Sequence, residues 1–371
     1  MTPAVRRDSV LANHNFRLLF GGSAISALGD QFTLVALPWL VLKLTGDPAA
    51  LGLVLATMAL PRALFMLIGG AVVDRLSPRR VLLAARGVNA LLVAALATLV
   101  LLGDIHMWLV YAIALGIGLS TAFAYPAGSA ILPQLVSKDQ LQPANALVMG
   151  MRQLSMFIGP ALAGLVISVG AHDAHTQGVQ DASGLGLAFS IDAISFAFSL
   201  ASLVLIRIHS DFHPKAVVGG VLSNVASGVR MIWADLPLRA FILYAAVISV
   251  FVGGPLQVGL PMLADTRMDL GAASLGILMT ANGGGMLLGS ALSGVASRFV
   301  RGRLGLMVLA IDSVVGLALA ALALVHSTMT GAALLAVTGA LGGIVQIAIF
   351  SWIQRRVAPE MMGRTMSVLM F

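Results

Sequence analysis

A series of long apolar stretches constrains this chain more than any other feature of its sequence. A helix needs about 20 largely apolar residues to cross the hydrocarbon core of a bilayer. Ten stretches meet that requirement, and an eleventh begins near Met362. The ten cover residues 17–42, 49–73, 81–102, 107–132, 144–170, 186–207, 238–263, 272–296, 304–325 and 330–353. The sequence therefore predicts an all-α polytopic membrane protein.

Composition agrees with a lipid environment and excludes several classes of protein. Only 10% of the residues are charged, against about 25% in soluble domains. The net charge of +7 forms no continuous basic face, so nucleic acid is not a predicted partner. His172 and His175 are spaced like metal ligands, but no third ligand is nearby. Without a nucleophile–base pair, a metal constellation or a Walker A motif, we predict no enzyme, no metal and no cofactor.

Lysine and arginine alternate from loop to loop along the chain. Counting from the N-terminus, every second loop collects them, whereas the opposite loops hold only Lys43 and Arg267. Because cytoplasmic loops are rich in these residues, the N-terminus is predicted to be cytoplasmic and the location to be the plasma (inner) membrane. This alternation assigns to the loop after the second stretch the residues Arg75, Arg79, Arg80 and Arg86.

An internal repeat divides the predicted stretches into two series. A shift of roughly 221 residues lays Leu135–Asp139 near Arg356–Glu360, which is the pattern of two repeated halves in a transporter. The predicted domains are a six-helix half over 1–207, a cytoplasmic connector over 208–237 and an incomplete half over 238–371. That last half holds helices seven to ten and the start of an eleventh, so this register leads us to expect about 55–60 further residues.

A motif over Gly69–Arg80 lies at the end of the second stretch. In it, Gly70 is followed by Asp74-Arg75 and then by Arg79-Arg80. It resembles the loop 2–3 signature of the major facilitator superfamily, a family of transporters with two six-helix halves. The resemblance implies that Gly70, Asp74, Arg75, Arg79 and Arg80 form a latch between the halves in the outward-facing state. The alternative is that these basic residues only fix the orientation in the membrane.

Three other segments resemble the same superfamily. Leu28-Gly29-Asp30 with Pro38 resembles its first-helix drug-exporter motif, and Leu132–Val136 followed by Asn145-Ala146 is similar to its drug, macrolide and siderophore exporters. The antiporter motif is matched by Gly150, Gly159, Pro160 and Gly164. This last motif implies a bend that governs leakage and direction of transport, and simple close packing of helices is the alternative.

Ionisable residues inside membrane helices are costly and indicate function. Asp30 and Arg62 lie at similar depth on consecutive helices, so that they can pair, and Arg152 is the competing partner. We predict that Asp30 couples transport to protons, with a static buried salt bridge as the alternative. Asp192 and Asp312 are weaker candidates for that role.

The substrate cavity is expected between helices 1, 4, 7 and 10, by resemblance to the family. Its candidate lining residues are Gln31, Tyr111, Tyr125, Gln257 and Gln346, with interhelical hydrogen bonding as the alternative role for each.

These features predict a secondary transporter that exports amphipathic or hydrophobic small molecules, of the drug or siderophore type, by proton-coupled alternating access. The expected partners are the substrate, protons and the lipid bilayer, and a monomer is expected. The alternatives are an uptake symporter for a small solute, a non-transporting membrane receptor or scaffold, and an inactive truncation product.

Overall fold

The computed structural model describes residues 9–170, 181–207, 230, 233–300 and 304–356. Within these ranges the regular structure is helical, and ten segments are long and apolar enough to cross a membrane. The predicted ten spans are therefore confirmed. The predicted eleventh span and most of the predicted connector lie outside the described residues.

Most span limits agree with the sequence prediction to within a few residues. The helices are α1 His14–Thr45, α2 Pro48–Arg75, α3 Pro78–Leu102, α4 Met107–Ile131, α5 Leu141–Gly170, α6 Ala182–Leu205, α7 Leu236–Ile248, α8 Gly254–Arg267, α9 Ala272–Val300, α10 Leu304–Leu322 and α11 Thr328–Arg356. A π-helical turn at Ser249–Gly253 joins α7 to α8, so these two helices make a single interrupted span. Such turns inside helices often occur at functional sites.

The chain forms two compact units whose boundary falls inside α1, α2 and α5. One unit comprises Met1–Thr33, Leu53–Ser155 and His175–Ala216. The other comprises Leu34–Gly52, Met156–Ala174 and Val217–Phe371. The predicted division into halves over 1–207 and 238–371 remains a prediction.

The first unit is built around α3, α4 and α6, with the beginning of α1 packed against them. Fully buried side chains at its base include Phe16, Leu82, Ile131 and Leu203. Small residues set the helix spacing: a Cβ on Gly118 would meet the main chain of Met58. Side chains on the lipid side, such as Leu91 and Ile194, stay exposed, which suits a surface solvated by acyl chains.

The second unit depends on close contact between α9 and α11. A Cβ on Gly285 would meet the main chain of Ala336, and one on Gly289 would meet Ala340. Small residues allow such approach in membranes, where dispersion contacts replace the hydrophobic effect as the main attraction between helices.

Two helix N-termini that the predicted repeat aligns are each capped by a side chain that also binds a distant residue. Asn13 caps α1 by accepting from Phe16 N (3.2 Å), and its Nδ2 donates to the Leu135 carbonyl at 2.6 Å. Asp235 caps α7 by accepting from Leu238 N, and Arg356 donates to its carboxylate at 2.8 and 3.0 Å. Those hydrogen bonds lower the pKa of Asp235. Leu135 and Arg356 are the residues that the shift of roughly 221 positions aligned.

The antiporter-motif residues of α5 pack against α9, within the second unit. A Cβ on Gly164 would lie 3.0 Å from the Gly276 Cα, and one on Gly276 would lie 3.1 Å from the Pro160 carbonyl carbon. Gly159 and Pro160 are both buried. A Cβ on Gly150, by contrast, would meet no neighbouring atom. Gly164 is therefore tightly packed against another helix, whereas Gly150 is not.

We expect Gly164→Ala and Gly150→Ala to change stability in opposite directions. At Gly164 the new methyl group overpacks the contact with α9 and costs about 1–3 kcal/mol. At Gly150 it meets nothing, and alanine gains up to about 1 kcal/mol over glycine in a helix. Thermal unfolding of the purified protein in detergent measures both. Equal effects of the two substitutions would contradict the close α5–α9 contact.

Candidate functional site

Asp30 lies near the middle of α1, and its side chain is exposed. Within the described part of the chain its carboxylate forms no direct ion pair or hydrogen bond. The positive charges that act on it are those of Arg86 and Arg152. A direct ion pair of Asp30 with Arg62 or Arg152 is not seen among the described residues, so the predicted pairing remains a prediction.

Arg86 is held between two other helices of the first unit. Its guanidinium donates to the Ser199 hydroxyl on α6 and, at 3.1 Å, to the Ser23 hydroxyl on α1. The side chain is thus fixed at the junction of α1, α3 and α6. This position differs from the loop to which the sequence analysis assigned Arg86, since α3 begins at Pro78.

Asp192 on α6 is the second carboxylate of this cluster, and only 1% of it is exposed. Thr33 of α1 donates to Oδ2, and Ser195 donates to Oδ1 at 3.2 Å. A Cβ on Gly29 would lie 2.7 Å from Asp192 Oδ1. Only a glycine at that position lets α1 approach the carboxylate so closely, and Asp30 is the next residue along α1.

Arg152 completes the cluster from α5. Its guanidinium carbon lies 5.2 Å from the centre of the Tyr125 ring on α4, a cation–π contact, and its side chain is exposed. Arg62 is exposed on α2 and is not among the charges that act on Asp30. The site thus combines Asp30, Asp192, Arg86 and Arg152, two carboxylates and two guanidiniums, and we call it the charge cluster.

Among the described side chains of the predicted latch, Arg79 makes hydrogen bonds to α6. Arg79 donates through Nε to the Leu203 carbonyl at 3.2 Å and through Nη2 to the Val204 carbonyl at 2.8 Å. These are last-turn carbonyls of α6, which lack partners within their own helix. Arg75 and Arg80 are exposed, Gly70 faces open space, and the Asp74 side chain lies outside the described part. The latch between halves remains a prediction.

The predicted cavity residues divide between the two units. Gln31, Tyr111 and Tyr125 belong to the first, and Gln257 and Gln346 belong to the second, where both are exposed. None of the five has a hydrogen-bond partner among the described residues. Only Tyr125 contacts the charge cluster.

A separate ion pair lies in the second unit, at the far end of α1 from Asn13. Lys43 Nζ lies 2.8 Å from Asp265 Oδ1 at the end of α8, with both side chains largely buried. Lys43 also lies 5.1 Å from the centre of the Trp39 ring. Trp39 is 2% exposed and faces Gly271, whose φ of +51° suits glycine. This end of α1 is thus tied to α8 and to the turn that follows it.

The family model described as Major Facilitator Superfamily matches residues 19–371. The chain belongs to the major facilitator superfamily. It is therefore a multi-pass membrane transporter and not an enzyme, as the sequence predicted.

Relatives within the superfamily are exporters by name. The multidrug efflux pump Tap of Mycolicibacterium fortuitum is 26% identical over 361 residues, which cover 95% of this chain and 84% of Tap. The enterobactin exporter EntS of Escherichia coli O1:K1 / APEC is 24% identical over 357 residues, covering 96% and 81%. A mutant of the nucleoside transporter NupG matches with a TM-score of 0.73 at 12% identity, over 96% of this chain and 87% of NupG. That likeness shows the fold alone.

Sequence reasoning missed the partners that organise the charge cluster. Ser77 followed by Pro78 is a helix-start signal, and it would have placed Arg86 two turns inside α3. Asp192, Ser195, Ser199 and Ser202 recur on one face of α6, and all four are buried. That spacing was readable from the sequence, but the facing residues Ser23 and Thr33 carried no signal of their own.

We expect Arg86→Ala to destabilise the protein more than Arg152→Ala. Arg86→Ala removes two charge-assisted hydrogen bonds, each contributing about 1.5–3 kcal/mol. Arg152→Ala removes one exposed cation–π contact, which contributes about 0.5–1 kcal/mol. Thermal unfolding in detergent compares the two variants with the parent. The reverse order would show that Arg86 does not hold α1, α3 and α6 together.

Proposed function

We propose that this chain is a proton-coupled exporter of amphipathic or hydrophobic small molecules, of the drug or siderophore type. It acts in the plasma membrane with its N-terminus in the cytoplasm. The names of Tap and EntS support export as the direction. The alternating charge of the loops supports the orientation.

The observation that carries the proposal is the state of Asp30. This carboxylate stands in mid-helix, exposed, with two guanidiniums near it and no direct ion pair in the described residues. A charge at membrane depth needs a partner or water. A static salt bridge would hold Asp30 in direct contact with an arginine, whereas an exposed carboxylate is open to a proton and to a substrate.

Exchange follows from competition at that carboxylate. A polar or cationic group of the substrate beside ionised Asp30 is attracted to it, and it favours loss of a bound proton. Protonation of Asp30 removes the negative charge and weakens the same contact. Substrate and proton then bind alternately, which is the requirement for antiport.

The five predicted cavity residues support binding between helices. A polar side chain in a membrane span faces the interior of the bundle or a water-filled cavity, and none of these has an interhelical hydrogen bond in the described part. We assign Gln31, Tyr111 and Tyr125 to the substrate surface of the first unit, and Gln257 and Gln346 to that of the second.

Alternating access requires contacts that form in one state and separate in another. The Lys43–Asp265 ion pair fits that role because it joins the end of the first span to the end of the seventh. It lies at the end of α1 opposite the arginine-rich loops.

We expect Asp30→Asn to abolish substrate-induced proton release from acidified inside-out vesicles. The amide keeps the size of the side chain but cannot carry the proton. A panel of cationic dyes, macrolides and catecholate siderophores supplies the substrates. Asp104→Asn, at an exposed carboxylate after α3, is the matched control and should release protons as the parent does.

Two results would contradict this proposal in different ways. Release that survives in Asp30→Asn removes Asp30 from the coupling step and leaves export intact. No release with any compound, from inserted and folded parent protein, argues against proton-driven export itself.

We expect Lys43→Asp and Asp265→Lys each to slow exchange, and the two together to restore it. A partly buried pair contributes about 1 kcal/mol, so each single change should alter the rate about fivefold. The initial rate of proton release in the same vesicles measures this. If the double variant is as impaired as both single effects combined, the ion pair has no part in the cycle.

A further inference from the structure

The charge cluster contains a carboxylate that the proposed exchange at Asp30 does not use. Asp192 is almost completely buried on α6, yet both of its oxygens accept hydrogen bonds, from Thr33 and from Ser195. An ionised carboxylate buried among membrane helices is expensive to keep unless it serves a purpose. The hydroxyl groups around Asp192 show how this carboxylate can be either ionised or protonated.

The donors around Asp192 accommodate both of its protonation states. When Asp192 is ionised, the Thr33 and Ser195 hydroxyls donate to its two oxygens. When it is protonated, the Thr33 hydroxyl can turn and accept its proton, since a hydroxyl is both donor and acceptor. Ser195 keeps its hydrogen bond to the Asp192 carbonyl at 2.7 Å in either case. Thr33 and Asp192 thus keep a hydrogen bond to each other in either protonation state.

Asp30 connects this buried group to the exposed part of the site. It adjoins Gly29, which touches the Asp192 carboxylate, and it lies one helical turn before Thr33. The two carboxylates interact electrostatically. The other charges around them are Arg86 from α3 and Arg152 from α5, and both act on Asp30.

A buried amide supports the presence of water in this region. Asn89 lies one turn beyond Arg86 on α3 and is 6% exposed, and its Oδ1 has no partner in the described part of the chain. Buried polar groups of this kind are commonly satisfied by internal water.

We propose that Asp192 is a second binding site for the coupling proton. The proton enters at Asp30 and is held at Asp192 between Thr33 and Ser195. The proton passes from the Asp30 carboxyl to the Asp192 carboxylate, so that Asp30 becomes ionised as Asp192 becomes neutral. No bond other than the two O–H bonds changes. This inference rests on the proposed proton coupling and adds a residue on another helix to it.

The first test is an infrared measurement that does not depend on transport. The protein in lipid is titrated from alkaline to acidic pH, and the carbonyl stretch of protonated carboxylic acids is recorded for the parent, Asp192→Asn and Asp104→Asn. We expect a pH-dependent band that is lost in Asp192→Asn and retained in Asp104→Asn. A band that is unchanged in folded Asp192→Asn overturns the proposal.

The second test uses Thr33, in case Asp192→Asn fails to fold. Thr33→Val removes the hydroxyl at nearly constant shape, and Thr33→Ser restores it. In the vesicle assay we expect Thr33→Val to slow proton release about 100-fold, the lower range for a positioned proton-transfer group, with recovery in Thr33→Ser. Thr121→Val is the control, because the Thr121 hydroxyl bonds only to its own helix at Ile117.

These measurements separate failure of the inference from failure of the proposed function. If the parent releases no protons with any compound, proton-driven export fails, and the infrared band still decides whether Asp192 titrates. If the parent, Thr33→Val and Asp192→Asn all release protons alike, proton-driven export is supported and Asp192 does not bind the coupling proton.

Discussion

The close approach of α1 to α6 at Gly29 is the contact on which the charge cluster depends. It brings the Asp192 carboxylate to the backbone of α1, with Asp30 next to the contact and Thr33 one helical turn beyond it. Charged side chains at membrane depth need protein partners, because lipid offers none. Two guanidiniums and a row of buried hydroxyls meet that need here. Arg86 is thus held by two hydroxyls, whereas Asp30 is exposed.

Hydrophobic length predicted the ten spans because the thickness of the bilayer fixes how many apolar residues a spanning helix needs. The limits were less certain at helix ends, where the Ser77-Pro78 start signal was overlooked and Arg86 was placed in a loop. The site was predicted in part: Asp30 and Arg152 were named, but Arg86 was not. The depth of a residue follows from sequence spacing, whereas the rotation of its helix depends on tertiary packing, and pairing needs both. Asp192 was therefore ranked low, although it is buried beside Asp30.

The repeat links contacts that are far apart in the sequence. Asn13 and Asp235 stand 222 positions apart. Asn13 caps the first helix of the first series and binds Leu135, just beyond the fourth span. Asp235 caps the first helix of the second series and binds Arg356, at the end of the fourth span of that series. Lys43 and Asp265 are also 222 positions apart, and they bind each other. In the predicted repeat, these two residues occupy equivalent positions, and both belong to the second unit.

In the predicted repeat, the charges of the cluster have no charged counterparts in the second series. A shift of 222 positions takes Asp30 to Val252 and Arg86 to Val308, so the second copy has apolar residues where the first has a carboxylate and a guanidinium. Val308 is 7% exposed, packed as an ordinary core residue. In the predicted repeat, helix packing at these positions therefore does not require charge. The proton exchange that we propose for Asp30 accounts for the presence of both charges in the first series.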